Sequence, residues 1–428
     1  MMQNIKLKKI LEKKELFWKS SLHFVGGLPY IIVFIISLIF YNRMGKSNSI
    51  ITISTSLFFI PLIIRPILGN IVTNLMTKRF WLLSMELILS ISMLFESLII
   101  KNKEWFTLSL FIFFIATTAT VVHDIAVSRF HKDNSPHKIT LAFNGYTLFI
   151  FLSVVFAFGI GLMYVGNLEV LLRNVKYSWV HLFRFFSIIF FLFFLYHLFI
   201  LPHYNKNISS NITQLSNLTI TRRWINETKS IISNISKNLP TLFILIFLLI
   251  PQGMFFRIAL LFFIDSGSNG GLGLSPQEVA LSQGTLGAFA MLYGSLIGMN
   301  KIKKNGITHS LWTMVLAITL PKLLYIYLSY KLSLTFPVIN LFVIIEQLGL
   351  GYGIIAYIYL LFSLSVGTNP TFRFSIGIAI AALSLMLSGV FTGFLQEYLG
   401  YRHFFVIVSI ISCLPIIATG YIKKKKLL

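Results

Sequence analysis

Stretches of about twenty apolar residues, each long enough to cross a hydrocarbon core about 30 Å thick, recur along the whole of this 428-residue chain. They fall near 18–41, 50–72, 80–100, 105–127, 139–164, 179–201, 240–264, 276–299, 307–330, 335–363, 371–396 and 402–422. In lipid every backbone polar group must be satisfied internally, and a helix does this one segment at a time. The expectation is an all-α membrane protein with twelve transmembrane helices. Composition excludes a soluble domain: 56% of residues are hydrophobic and 11% charged, against about 25% charged in soluble proteins. One cysteine, Cys413, leaves no internal disulfide and no cysteine-based metal cluster. The lysine-rich start is followed by a span-length helix without a small-residue cleavage site, which reads as a retained first helix.

The longest polar segment, 202–238, lies between the sixth and seventh spans and is rich in Asn, Ser, Thr and Lys. It predicts three parts: a six-helix half over 1–201, a linker over 202–238 and a second six-helix half over 239–428. Two such halves packed about a site near the bilayer midplane are a transporter architecture. The 36 Lys and Arg against 13 Asp and Glu decide the orientation. Basic residues crowd the N-terminus, the 202–238 segment, the even-to-odd turns at Lys78–Arg79 and 301–304, and the final 423–426 run, outnumbering those of the opposite loops by about three to one. Both termini and the linker are thus expected in the cytoplasm. The basic excess becomes a topology signal that faces anionic lipid headgroups, and a nucleic-acid partner is excluded on the same distribution. Five Asn-x-Ser/Thr triplets in the linker, from Asn207 to Asn234, are attributed to composition, since glycan acceptors would lie outside.

Charges inside spans are expensive and are functional candidates by default. Arg65 sits within the second span, where a central Arg adds about 3 kcal/mol against about 0.5 kcal/mol gained per Leu or Ile. Glu86 and Glu96 lie in the third span, Asp124 closes the fourth and Glu346 is in the tenth. Glu346 leads, because Gly353 and Tyr357 follow at seven and eleven residues on its helix face. Arg257 and Lys322, in the seventh and ninth spans, suit an anionic solute. Gln252, Gln347, His23 and Asn144 complete the expected solute or proton pathway. Gly27 with Pro29, Pro251 and Gly353 are the expected flexible points, Pro251 being read as a break in the seventh helix. His123 precedes Asp124, but consecutive helical residues point apart, so neither a metal site nor an enzyme is read from this pair. Ser275, Pro276 and Glu278 spell a capping box at the start of the eighth helix.

Several segments together resemble one family. They are Gly-Gly-Leu-Pro-Tyr at 26–30, Thr77-Lys78-Arg79-Phe80-Trp81, His123-Asp124-Ile125-Ala126, Gly270 to Ser275, Glu346-Gln347-Leu348-Gly349 with Gly351-Tyr352-Gly353 and Ala356-Tyr357, and Gly400 to Phe405. From about Trp18 to Tyr421 the chain looks like the AmpG-like peptidoglycan-fragment (muropeptide) permeases of the major facilitator superfamily, closest to their Bacteroidetes-type members. That resemblance implies a monomeric importer of the bacterial inner membrane, driven by protons, carrying sugar-peptides and needing no cofactor or metal. Five positions depart from the family pattern by lacking an acid: Gly26, Thr73, Ser128, the neighbourhood of Gln252, and Lys322. Asp124 and Glu346 are the carboxylates the resemblance leaves for coupling. The departures also fit a more anionic solute, an uncoupled facilitator, or a receptor or scaffold that keeps the fold and moves nothing.

Overall fold

The computed structural model describes residues 2–128, 145–202, 239–364 and 370–425, so Asn144 and nearly all of the expected linker lie outside the described residues. Within them every regular element is helical. Nine helices are long and apolar enough to span a membrane, one further span is a bent pair, and two of the nine are each two spans joined across a glycine. The twelve are α1 (Phe17–Arg43), α2 (Asn48–Ile63 with Arg65–Val72), α3 (Lys78–Ile99), α4 (Trp105–Ser128), α5 (Leu148–Leu172), α6 (Val175–Ile200), α7 (Leu239–Ile264), α8 (276–305), α9 (307–330), α10 (Phe336–Leu364), α11 (370–399) and α12 (401–425).

The two glycine joints are alike. Gly306 and Gly400 both hold φ 74° and ψ 168°, a region that a side chain excludes, and each reverses the chain between consecutive spans. Arg65 marks the discomfort read in the second span: α2 bends by 45° at Ile64, where Pro66 both disfavours helix in the residue before it and sits well in the first turn of the new segment. The eighth helix opens with the expected capping box, Ser275 accepting from the Glu278 N–H while Glu278 accepts from the Ser275 N–H at 2.8 Å.

Two expectations are corrected. Pro251 does not break α7, which runs unbroken from Leu239 to Ile264; a proline costs its helix one backbone hydrogen bond, and a membrane helix carries that loss without ending. The fifth span ends at Leu172, beyond the expected 164. Glu169 lies in that last stretch, held inside by Arg43 at 2.5 Å and by the Trp179 indole at 2.9 Å.

Within the second half α10 packs closely on both α8 and α9, and glycines allow it. A Cβ on Gly294 or Gly298 would run into the backbone of Leu348 or Tyr352, and one on Gly351 into Met291. Gly349 and Gly353 meet α9 at Ala317, Met314 and Ile318. Gly353 therefore serves close approach within an uninterrupted α10. Gly27 likewise packs on Ser153 of α5, and α1 continues through Pro29 into a π-helical turn over Ile32–Ile36. The halves meet along α2 with α11 and α5 with α8. There Gly159 and Gly284, each within a π-helical turn, bring their backbones together.

Candidate functional site

Three groups of buried polar side chains lie on the helices that face one another across the halves. The first is in the second half. Glu346 and Gln347 of α10 are buried, as are Lys322 and Tyr325 of α9 and Gln283 of α8. Gln347 donates to Gln283 Oε1 at 3.0 Å, and Gln283 donates to the Tyr325 hydroxyl at 3.4 Å. Lys322 donates to Ser412 Oγ of α12 at 3.0 Å, with the Phe255 ring 5.7 Å away, and lies within electrostatic reach of Glu346. Lys322 and Glu346 are thus opposite charges buried in one region, and the hydrogen bond of Lys322 goes to Ser412 and not to the carboxylate. Glu346 Oε2, the Tyr357 hydroxyl and Gln252 Oε1 are buried with no partner among the described residues.

The second group is Arg257 of α7, at the seam between halves. Its Nη1 donates to Gly253 O and to Ser388 Oγ of α11, both at 3.2 Å, and the guanidinium lies 5.2 Å from the Phe59 ring of α2. Gly389 is where it is because a Cβ there would collide with that guanidinium and with Ser56. Among the described residues no carboxylate pairs with Arg257, and its Nη2 has no partner. A buried, uncompensated cation carries a penalty of several kcal/mol, which an incoming anion relieves.

The third group is in the first half. The bend in α2 swings Arg65 onto Asp124 of α4 at 2.5 Å, beside Tyr30 of α1. Arg65 is 5% exposed and Asp124 41%, so the carboxylate, not the guanidinium, meets the surroundings. His123 and Asp124 do point apart: the imidazole turns inward to Glu86, with His197 of α6 on the same carboxylate oxygen. Spacing along the sequence does not bring Glu86, His123 and His197 together; the packing of α3, α4 and α6 does. No set of three His, Cys, Asp or Glu side chains among the described residues is arranged to hold a metal. His23 of α1 is half-buried.

At the end of the bundle away from the termini a polar lattice ties the halves together. Asp265, closing α7, accepts from Asn42 of α1 at 2.6 Å and from Asn48 of α2 at 3.0 Å, and also from the Tyr401 hydroxyl. Asn48 further bonds Gln396 at 2.9 Å and Tyr401 at 3.0 Å. The Ser49 N–H donates to Glu397, and the Gly393 N–H to Thr52.

Solved structures of similar shape cover nearly the whole chain. The D-xylose-proton symporter superposes with a TM-score of 0.70 at 14% identity over 95% of this chain and 97% of its own. The fold is that of the major facilitator transporters. The peptide transporter PepTSo2 gives 0.69 at 13% identity over 97% and 99%. The nucleoside transporter NupG gives 0.67 at 13% over 95% and 98%. At these identities the likeness is one of fold. No family model matches the sequence, and no curated protein does.

Proposed function

We propose that this chain is a secondary transporter of the bacterial inner membrane, with both termini cytoplasmic, that moves a small anionic or polar solute by alternating access with proton coupling. The reading is supported most by Arg257, a buried cation without a carboxylate partner among the described residues, placed where α7 meets α2 and α11 of both halves. Its spare Nη2 offers a donor to a carboxylate, while Gln252 Oε1, Glu346 Oε2 and the Tyr357 hydroxyl offer further polar contacts. A solute with an acid at one end and hydroxyls or amides elsewhere uses all of them. Sugar-peptides released from peptidoglycan have that character, and the resemblance at 26–30 and 346–357 favours them. Glu346, held beside Lys322 and Gln347, is the carboxylate whose state changes with the bound solute.

The test is uptake into proteoliposomes of a muramidase digest of peptidoglycan under an imposed proton gradient. Wild-type protein accumulates fragments, and Arg257→Gln lowers apparent affinity at least about tenfold, since a hydrogen bond to a charged group is worth about 1.5–3 kcal/mol. Glu346→Gln abolishes gradient-driven accumulation. Folded wild-type protein that takes up no more than empty liposomes would instead mark a receptor or scaffold with this fold.

A further inference from the structure

Glu86, His123 and His197 lie on α3, α4 and α6, and all three side chains are fully buried inside the first half. Glu86 Oε1 is 2.7 Å from His197 Nδ1 and 3.3 Å from His123 Nε2. His197 Nε2 is 2.8 Å from Ser21 Oγ of α1, and that hydroxyl donates to the Trp18 carbonyl at 2.9 Å.

Counting donors assigns the protons. An ionised carboxylate only accepts, so each imidazole presents an N–H to Oε1. Ser21 has one proton, and Trp18 O takes it; the serine oxygen is then an acceptor, and His197 Nε2 must donate to it. His197 thus carries a proton on both ring nitrogens and stands as an imidazolium against the Glu86 carboxylate. His123 spends its single proton on Glu86 and keeps Nδ1 as an acceptor with no partner among the described residues, facing Gly26. Glu86 Oε2 is unpartnered as well. Of the ionisable groups nearby, Asp124 is held by Arg65, Arg79 of α3 donates to the Leu198 carbonyl beside His197, and Tyr196 lies edge-on to the His197 ring on its own helix.

We propose that Glu86, His123 and His197 form a proton-binding site of the first half, separate from the solute-contacting groups around Arg257 and Glu346. The exchangeable proton is the one on His197 Nε2. It passes to Ser21, which releases its own proton to water at the end of the bundle that carries the termini, where Ser21 is partly exposed; the other proton stays on His197 Nδ1 in its bond to Glu86, and the cluster passes from neutral to one net negative charge. The next residue along α4 is Asp124, whose ion pair with Arg65 holds the bent half of α2. A change of one charge in a poorly screened interior is felt there, which links proton occupancy to the helix that contacts the second half. The coupling role rests on the proton-driven reading above; the proton-binding claim does not.

Two measurements separate them. The first is nitrogen-15 magnetic resonance of the full chain in nanodiscs with ring-labelled histidine. At pH 7, where a solvated histidine of ordinary pKa near 6.5 is mostly neutral, one of the nine histidines shows both ring nitrogens protonated. That signal vanishes in His197→Gln and turns neutral in Glu86→Gln. Sequential assignment of the wild-type spectrum makes the point without a variant if either fails to fold. A neutral His197 at pH 7 overturns the proton site. The second is pyranine fluorescence inside proteoliposomes given the muramidase digest. Wild-type protein acidifies the lumen as fragments enter, and Glu86→Gln admits fragments with at least about tenfold less acidification while Glu86→Asp restores part of it. Unchanged acidification in Glu86→Gln overturns the coupling role. Wild-type protein that admits nothing sinks the transport reading instead, and the resonance result still decides the proton site.

Discussion

Asp265 is the residue whose removal shifts the two halves most. Its carboxylate takes Asn42 and Asn48 from the first half and Tyr401 from the second. Only the Asn bonds are lost when the halves part, because Asp265 and Tyr401 move together. Each bond to a charged group contributes about 1.5–3 kcal/mol when buried, but Asp265 is partly exposed and water replaces what opening removes. About 1 kcal/mol per bond is the appropriate scale, hence about 2 kcal/mol for Asp265→Ala and a roughly thirtyfold rise in the ratio of open to closed at that end. Tyr401→Phe deletes one cross-half bond, from Asn48, and shifts the ratio by about fivefold. The assay is a spin-label distance between Lys103→Cys and Asn269→Cys, both exposed at that end, in a Cys413→Ser background because Cys413 is itself exposed. Asp265→Ala brings in a longer distance that is scarce in the parent, with Tyr401→Phe in between. Identical distributions in all three would refute the reasoning that this lattice holds the halves closed.

Other consequences follow from unequal burial and tight packing. Asp124→Ala leaves the buried Arg65 guanidinium unpaired and lowers stability by about 3 kcal/mol, whereas Arg65→Ala leaves a carboxylate that water already reaches and costs about 1 kcal/mol; thermal unfolding in detergent ranks the two. Gly351→Leu drives a side chain into the Met291 backbone and prevents α8 from seating on α10, read as loss of the monodisperse peak in size-exclusion chromatography. Ser275→Ala removes a capping box and costs about 1 kcal/mol, a small fall in unfolding temperature with no effect on uptake. Gly389→Ala displaces Arg257 and weakens uptake of anionic solutes while leaving the fold intact, a split between affinity and stability that ligand-dependent thermal shift measures.

What the sequence disclosed was whatever is encoded locally. Span length and loop charge are properties of contiguous residues, and the Ser275 cap needs only four of them. Arg65 announced trouble in the second span, although not that the trouble would resolve as a bend. The far end of the fifth span carries Glu169, whose partners Arg43 and Trp179 lie on other helices and are not written beside it. Pro251 removes one backbone donor, and whether a helix continues through that loss is not set by the residues next to it. The cations expected to greet an anion divide in three dimensions: Arg65 pairs with Asp124, Lys322 donates to Ser412, and Arg257 keeps its charge without a carboxylate partner among the described residues. The Glu86 cluster was beyond reach altogether, because Glu86 and His197 are 111 residues apart and only helix packing brings them together. Gly389, Ser388, Ser56 and Phe59 around Arg257 carry no charge; the first three are merely small and Phe59 is one of many aromatics, so nothing local marks them as its surroundings.

The central claim is that a solute anion binds at Arg257 and is carried across. Counterflow tests it most directly: proteoliposomes preloaded with the peptidoglycan digest, with no gradient imposed, are given trace labelled digest outside. Wild-type protein concentrates the label transiently, Arg257→Gln does so only at about tenfold higher internal load, and protein-free vesicles do not. Label that never exceeds the protein-free level, with the protein shown folded and inserted, would contradict the account.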